Sequence, residues 1–189
     1  MNGPTPEPLS EAKQRLLQRY LSGQPAAVAT ESGIPKRAPG NVVPQSFNQE
    51  QVWIHTQIQA DQPGYNELVT LHRHGPVDVV ILERCLGEIV RRHEIWRTTF
   101  DQRDGMPVQI VHDTFPPVPL DVVDLRALPE TLRRQTSLNL AAEAARIPFD
   151  LTRLPLFHGR LVRLADEEYQ LHLTLHHLSM DGVTVFRNF

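Results

Sequence analysis

The stretch Leu171 to Gly182, LHLTLHHLSMDG, alternates apolar and polar residues and then ends in two histidines, a short loop and Asp-Gly. Residues two apart on a β-strand point to the same face of the sheet. The alternation therefore predicts a strand over Tyr169 to Leu175 whose leucines share one face. His177 continues this apolar row, whereas His176 falls on the opposite face.

A histidine at the end of an apolar row is a candidate general base. If the strand keeps its register, His177 lies at the edge of a hydrophobic layer, where a neutral imidazole could accept a proton from a substrate. His176 is expected to make a structural hydrogen bond. Asp181 and Gly182 then turn the chain into a further helix, and glycine permits backbone angles that other residues avoid.

Three other interpretations of this motif stay open on the local pattern. Adjacent strand residues diverge, so His176 and His177 are poorly spaced to share a metal ion, and no metal is predicted. A hydrogen-bonded histidine without catalytic function fits the local pattern about as well as a catalytic one. A Ser-His-Asp hydrolase is disfavoured because no Gly-x-Ser-x-Gly sequence occurs and Ser179 is too close to His177 along the chain.

The rest of the chain predicts a mixture of strands and helices. Asp104-Gly105 is typical of a hairpin turn. The mixed order predicts an α/β or α+β fold with a sheet that is at least partly antiparallel. The predicted helices cover Ser46 to Gln59, Asp78 to Arg92 and Pro129 to Ala145, and further strands cover Tyr65 to Arg73, Trp96 to Phe100, Val108 to His112, Val118 to Val123 and Leu156 to Leu164.

Length and composition predict one folded domain with an N-terminal extension. The chain has 189 residues, of which 40% are hydrophobic, about the size of one domain. Residues 1–23 contain a short amphipathic helix over Leu9 to Leu21, residues 24–44 form an extended connector rich in Pro and Gly, and the folded domain covers 45–189.

Charge and cysteine content exclude several classes of partner. The net charge is −3 and no basic stripe occurs, which argues against nucleic acid. No apolar run approaches the roughly 20 residues of a membrane-spanning helix, so no membrane partner is predicted. Cys85 is the one cysteine in the chain, and a cytoplasmic location is therefore expected.

A second informative segment is Arg91 to Phe100, RRHEIWRTTF. Basic residues at a helix C-terminus interact favourably with its dipole, which accounts for Arg92 but not for Arg97, at the entry to a strand. A guanidinium can bind a carboxylate through two parallel hydrogen bonds. Arg97 is therefore expected to hold Asp181 and to fix the loop that presents His177.

Three segments together resemble the condensation domains of nonribosomal peptide synthetases, which belong to the chloramphenicol-acetyltransferase-like superfamily. Residues 176–182, HHLSMDG, match the family motif HHxxxDG. Residues 92–100, RHEIWRTTF, are similar to RHExLRTxF, and residues 46–53, SFNQEQVW, are similar to the first motif, SxAQxRLW. The three occur in family order, and the resemblance covers about Pro44 to the C-terminus.

The resemblance implies one lobe of a two-lobed enzyme that forms amide bonds. His177 would be the catalytic histidine, Asp181 would be paired with Arg97, and Gly182 would place a backbone N–H near the developing oxyanion. Substrates would arrive on the phosphopantetheine arms of peptidyl or aminoacyl carrier domains, with no covalently bound cofactor. The other supporting residues would be His176 and Arg92.

The chain stops at Phe189, inside the helix expected after the motif, so the resemblance implies the N-terminal lobe without its C-terminal partner. We expect such a fragment to have little or no activity alone. Two alternatives remain: an ester-forming or coenzyme A-dependent acyltransferase of the same superfamily, and a noncatalytic module whose helix at Leu9 to Leu21 docks an upstream synthetase subunit.

Overall fold

The structure is a computed structural model of the chain, and it describes residues 37, 40, 42–59 and 62–180. They form three α-helices, α1 (Phe47–Ile58), α2 (Val79–Arg92) and α3 (Glu130–Ala145), and one 3-10 helix (Glu94–Arg97). The seven strands are β1 (Val42–Pro44), β2 (Asn66–His74), β3 (Thr98–Arg103), β4 (Met106–Val111), β5 (Asp121–Asp124), β6 (Phe157–Ala165) and β7 (Glu168–His176). The helix predicted over Leu9 to Leu21, the residues Asp181 and Gly182, and the helix predicted after them lie outside the described residues.

The strands form two sheets rather than one. The larger sheet has the order β2-β7-β6-β5, in which β5 runs parallel to β6 and the other pairs are antiparallel. The smaller sheet has the order β1-β4-β3 and is antiparallel. These sheets with their flanking helices confirm the predicted mixed α/β class and its partly antiparallel pairing.

Strand β1 was not predicted. Its residues stand at the end of the stretch that the proline content assigns to the connector, and Val42 pairs with Ile110 of β4. Three residues are too few to show a strand pattern. Whether they form a strand depends on a partner about 65 residues away, which local propensity does not reveal.

The central strand β7 is buried on both faces. On one face Leu171, Leu173 and Leu175 pack with Leu86 and Val90 of α2. On the other face the polar residues Gln170, His172, Thr174 and His176 are also buried. The alternating pattern is typical of a strand with one wet face, but here helix α3 covers the polar side, so that these side chains need partners within the protein.

The buried polar residues under α3 form a connected network. The Ser137 hydroxyl donates to Gln170 Oε1 at 2.6 Å, so it must accept from His172 Nε2 at 2.8 Å. Nδ1 of His172 can then accept from the Thr70 hydroxyl at 2.9 Å. Burial lowers the pKa of His172, which agrees with a neutral ring in this network.

Capping and turn residues in the sequence correctly predicted the start of α2 and the turn between β3 and β4. Asp78 caps α2, where its carboxylate accepts from the Ile81 N–H at 3.0 Å. The β3–β4 hairpin turns at Asp104 and Gly105, whose φ angles of 51° and 80° are those of a type I′ turn.

The prediction of a strand over Trp96 to Phe100 was wrong for its first two residues. They belong to the 3-10 helix, and the strand starts at Thr98. The Thr98 hydroxyl donates to the Glu94 carbonyl at 2.7 Å and so ties the end of this turn to its beginning. The turn lets Trp96 enter the core beside α2.

Candidate active site

The histidine pair lies where β7 loses its partners and turns. The His176 N–H donates to the Leu156 carbonyl of the β6 side at 3.1 Å, and the His177 N–H donates to the Tyr65 carbonyl of the β2 side at 2.8 Å. The Ser179 N–H and hydroxyl then both donate to the His176 carbonyl, at 3.0 and 2.8 Å. The strand therefore ends at His176. His177, which the predicted register kept in the strand, is the first residue of the turn.

His176 braces this turn from inside the protein. Its side chain is buried, and Nδ1 accepts from the Leu178 N–H at 3.2 Å. Burial, with a smaller contribution from the neighbouring His177, lowers the pKa of His176 to about 4. The ring is therefore neutral near pH 7, and because Nδ1 accepts a hydrogen bond, the ring proton is on Nε2.

His177 lines a cleft of about 350 Å³. Its side chain is 38% exposed, but the Nδ1 atom is buried and has no hydrogen-bond partner among the described residues. The closest carboxylate contact that the structure gives this nitrogen is Glu67 Oε1, at 3.8 Å. The other residues lining the cleft are Ser46, Asn48, Gln49, Val52, Ile95, Leu178, Ser179 and Met180.

The cleft brings together three segments that are far apart in sequence. They are the start of α1, the 3-10 helix after α2, and the turn after β7. These are the same three segments whose motifs were singled out in the sequence. Their convergence makes this cleft the best candidate for a catalytic site in the described part of the chain.

Gln49 connects two of these segments and was not among the residues predicted to form the site. Its amide oxygen accepts from the Ser46 N–H at 3.0 Å, and its own N–H donates to the Ser46 hydroxyl at 3.3 Å, which is a capping box at the start of α1. Its amide nitrogen also donates to the Leu178 carbonyl at 3.3 Å. The Ser-x-x-Gln spacing was a readable signal for the cap, but nothing local indicated the bond to Leu178.

Replacing Gln49 by glutamate should separate these two functions. Glutamate can still accept from the Ser46 N–H, but it cannot donate to the Leu178 carbonyl and would place a carboxylate against it. We expect a loss of about 1 kcal/mol in the free energy of unfolding and faster amide hydrogen exchange at Leu178 and Ser179. Gln49→Ala, which loses the cap as well, is the comparison. Unchanged exchange in the glutamate variant would show that the bond to Leu178 does not hold the turn.

Within the described residues, Arg97 contacts its own 3-10 turn and the residue that follows β4. Its side chain is 16% exposed, its guanidinium donates to the His112 carbonyl at 2.5 Å, and it lies 3.8 Å from Glu94 Oε1. The pair with Asp181 stays a prediction, because Asp181 lies outside the described residues.

Arg92 lies on the exposed face of α2. Its Nε donates to Glu88 Oε1 at 2.7 Å, and hydrogen bonds from Arg91 and Arg92 lower the pKa of Glu88 to about 2. This contact explains Arg92 as part of a surface ion pair, and its support of the site stays a prediction.

A second cavity, of about 420 Å³, is lined by His176, Trp53, Phe100 and the loop around Phe149. Within residues 42–59 and 62–180, no group of three or more His, Cys, Asp or Glu side chains is arranged to hold a metal ion. No helix in this part of the chain has the length and apolar character needed to cross a bilayer.

The described residues form a mixed α/β lobe with two sheets, and the three motif segments meet at its cleft. Residues 40–186 match the family model of the condensation domain. The chain therefore belongs to the condensation-domain family.

Curated relatives include large synthetases. The chain is 38% identical over 174 residues to phosphinothricin tripeptide synthetase PhsC of Streptomyces viridochromogenes, a match that covers 92% of this chain and 16% of the relative. It is 37% identical over 147 residues to chondramide synthase cmdD of Chondromyces crocatus, a match that covers 77% of this chain and 4% of the relative. The chain thus spans a small part of the length of these proteins.

Solved structures share the fold. The starter condensation domain of rhizomide synthetase RzmA matches with a TM-score of 0.69 at 21% identity, over 79% of this chain and 37% of that chain. The first condensation domain of the calcium-dependent antibiotic synthetase, in complex with substrate analogue 2a, matches with a TM-score of 0.69 at 23% identity, over 76% of this chain and 34% of that chain. The chain therefore covers part of a condensation domain.

Proposed function

We propose that this lobe takes part in amide bond formation between an acyl or peptidyl thioester and an aminoacyl thioester. Both substrates would be carried on the phosphopantetheine arms of carrier domains. The observation that carries the proposal is the position of His177, whose ring lines a cleft built from the three segments with family motifs. The match of residues 40–186 to the condensation-domain family model supports the chemistry.

In this reaction the acceptor amine attacks the carbonyl carbon of the donor thioester. The new C–N bond forms, the C–S bond breaks, the amine loses a proton and the donor thiol is released. We assign to His177 the removal of that proton or the positioning of the amine. In this proposal Gly182 would offer a backbone N–H to the developing oxyanion, and an ion pair of Asp181 with Arg97 would support the turn.

The remainder of the condensation domain would form the opposite wall of the cleft. His177 is 38% exposed in this chain, so water reaches the site and carrier-bound substrates have no second surface to orient them. Because orientation and exclusion of water supply much of the rate of such a reaction, we propose that the chain alone has little activity and that the C-terminal lobe is its partner.

The test is an amide-formation assay with two loaded carrier domains. The 189-residue chain alone should give no product above background, and a protein in which this lobe is joined to the rest of the domain should give amide. Rapid product formation by the isolated chain would contradict the need for a second lobe. Product from a hydroxyl acceptor or a coenzyme A donor, but not from an aminoacyl carrier, would favour another acyltransferase of the same superfamily.

A further inference from the structure

We propose that Glu67 is a positioning residue that holds the His177 ring in one tautomer, an inference that rests on the proposed function of His177. Nδ1 of His177 is buried without a hydrogen-bond partner among the described residues. A buried ring nitrogen in this state costs free energy unless a partner reaches it. Glu67 Oε1, at 3.8 Å, is the carboxylate oxygen that the structure places beside it.

The register of the sheet puts the two residues on one face. Strand β2 is antiparallel to β7, with Glu67 opposite Leu175 and Val69 opposite Leu173. Although β7 ends at His176, the His177 N–H still bonds to the Tyr65 carbonyl at 2.8 Å, which extends the pairing of the two strands by one residue. The 3.8 Å contact then places the His177 ring on the side of Glu67. Side chains on this face of both strands, including Val69 and Leu71, pack in the hydrophobic core.

Glu67 and His177 thus each continue an apolar row at the same end of the sheet. The two side chains are 52% and 38% exposed, so a rotamer change of the glutamate can shorten the contact to the roughly 2.8 Å of a charge-assisted hydrogen bond. Contacts in catalytic sites are often long before substrate binds.

The described residues that line the cleft beside His177 are all uncharged. The polar ones are Ser46, Asn48 and Gln49 at the start of α1 and Ser179, whose hydroxyl donates to the His176 carbonyl. Gln49 is already bonded to Ser46 and Leu178. On the β7 side, His176 is neutral and its Nδ1 is occupied by the Leu178 N–H.

The chemical consequence concerns the location of the ring proton. A carboxylate that accepts from Nδ1–H leaves Nε2 unprotonated, and an unprotonated Nε2 can accept a proton from an attacking amine. Glu67 does not touch the substrate in this scheme. Its effect on the reaction acts through the orientation and the tautomer of His177.

The tautomer can be measured without any enzyme assay. The 189-residue chain is labelled with ¹⁵N-histidine, and long-range ¹H–¹⁵N spectra are recorded at about pH 8, where an ordinary imidazole is neutral. We expect the proton of His177 on Nδ1 in the wild type and a shift toward Nε2–H in Glu67→Leu. Glu167→Leu, which removes an exposed carboxylate at the opposite end of β7, is the matched control and should leave the spectrum of His177 unchanged.

A kinetic arm uses the lobe joined to the rest of the condensation domain. Glu67→Leu should lower kcat by on the order of 10- to 100-fold, the range known for residues that orient metal-bound histidines, with little change in KM. Glu67→Asp should recover part of the rate. Nε2–H in the wild-type ring, or an unchanged tautomer in Glu67→Leu, overturns the inference whatever the activity. If the tautomer shifts as expected but no protein forms amide, the proposed function fails and the contact between Glu67 and His177 stands.

Discussion

Replacing His177 by alanine in the joined condensation domain is expected to slow amide formation by about 10²- to 10⁴-fold, the usual range for losing a general acid–base group. The physical reason is that the amine must lose its proton as the new bond forms, and a water molecule in the vacated space is a poorly oriented base. The measurement is single-turnover transfer between loaded carrier domains, which reports the chemical step rather than carrier release.

The substitution should have little effect on the fold, which makes the kinetic result interpretable. The His177 side chain is 38% exposed and its Nδ1 makes no hydrogen bond among the described residues. The backbone N–H that bonds to the Tyr65 carbonyl remains in the variant. His74→Ala, on an exposed position of β2, is the control for removal of an imidazole elsewhere in the sheet.

A second variant separates the two roles assigned to His177. Asparagine can hold an amine by a hydrogen bond but cannot accept its proton near neutral pH. If His177→Asn is as slow as His177→Ala, the ring acts as a base; if it retains most of the wild-type rate, the ring positions the amine. A joined domain in which both variants keep the wild-type rate would contradict the assignment of His177 to the reaction.

The second large effect is a loss of stability in acid caused by His176. Its pKa is about 4 in the folded protein and about 6.5 in an unfolded chain. Because the folded-state pKa is lowered, the folded protein disfavours the protonated ring. The contribution of His176 to the free energy of unfolding is therefore fully present above about pH 6.5. It is lost as the pH falls from 6.5 toward 4, by roughly 3 kcal/mol in total.

The structure explains why this loss should reach the candidate site. The second proton would go to Nδ1, which now accepts from the Leu178 N–H. Two N–H groups would then face each other inside the protein, where water cannot separate them. Acid should therefore loosen the turn that carries His177 before it unfolds the rest of the sheet.

Urea unfolding between about pH 7.5 and 4.5 measures the effect, with His176→Asn as the comparison. The asparagine side-chain oxygen can accept from the Leu178 N–H, and it does not titrate. Burial also lowers the pKa of His158 and His172, so both proteins should lose stability in acid. The wild type should lose about 2 to 3 kcal/mol more than the variant over this range. Parallel pH curves for the two proteins would show that His176 is not the sensitive group.

Much of the fold was readable from local patterns. The alternation in β7, the apolar face of α2 with its Asp78 cap, and the Asp104-Gly105 turn each depend on residues close together in the chain, and each prediction was confirmed. The patterns failed where distant partners decide the outcome. Val42–Pro44 became a strand because β4 offered an edge, and the start of the strand predicted at Trp96 became a 3-10 turn.

The candidate site divides in the same way. The sequence singled out His177 and the three motif segments, and the structure brings the described parts of those segments to one cleft. The contacts of Gln49 with Leu178 and of Glu67 with His177 join residues about 130 and 110 positions apart. No spacing rule within a single helix or strand could have indicated them.

By itself, the sequence determined which residues can form strands and helices and which imidazole ends the apolar row, because periodicity and side-chain chemistry are properties of short segments. The tertiary structure alone decided that both faces of β7 are buried and that burial lowers the pKa of His176, whose ring accepts from the Leu178 N–H. It also decided that a carboxylate stands beside the buried nitrogen of His177. These features depend on which surfaces pack together, and packing sets both the loss of water and the identity of the partner for each polar group.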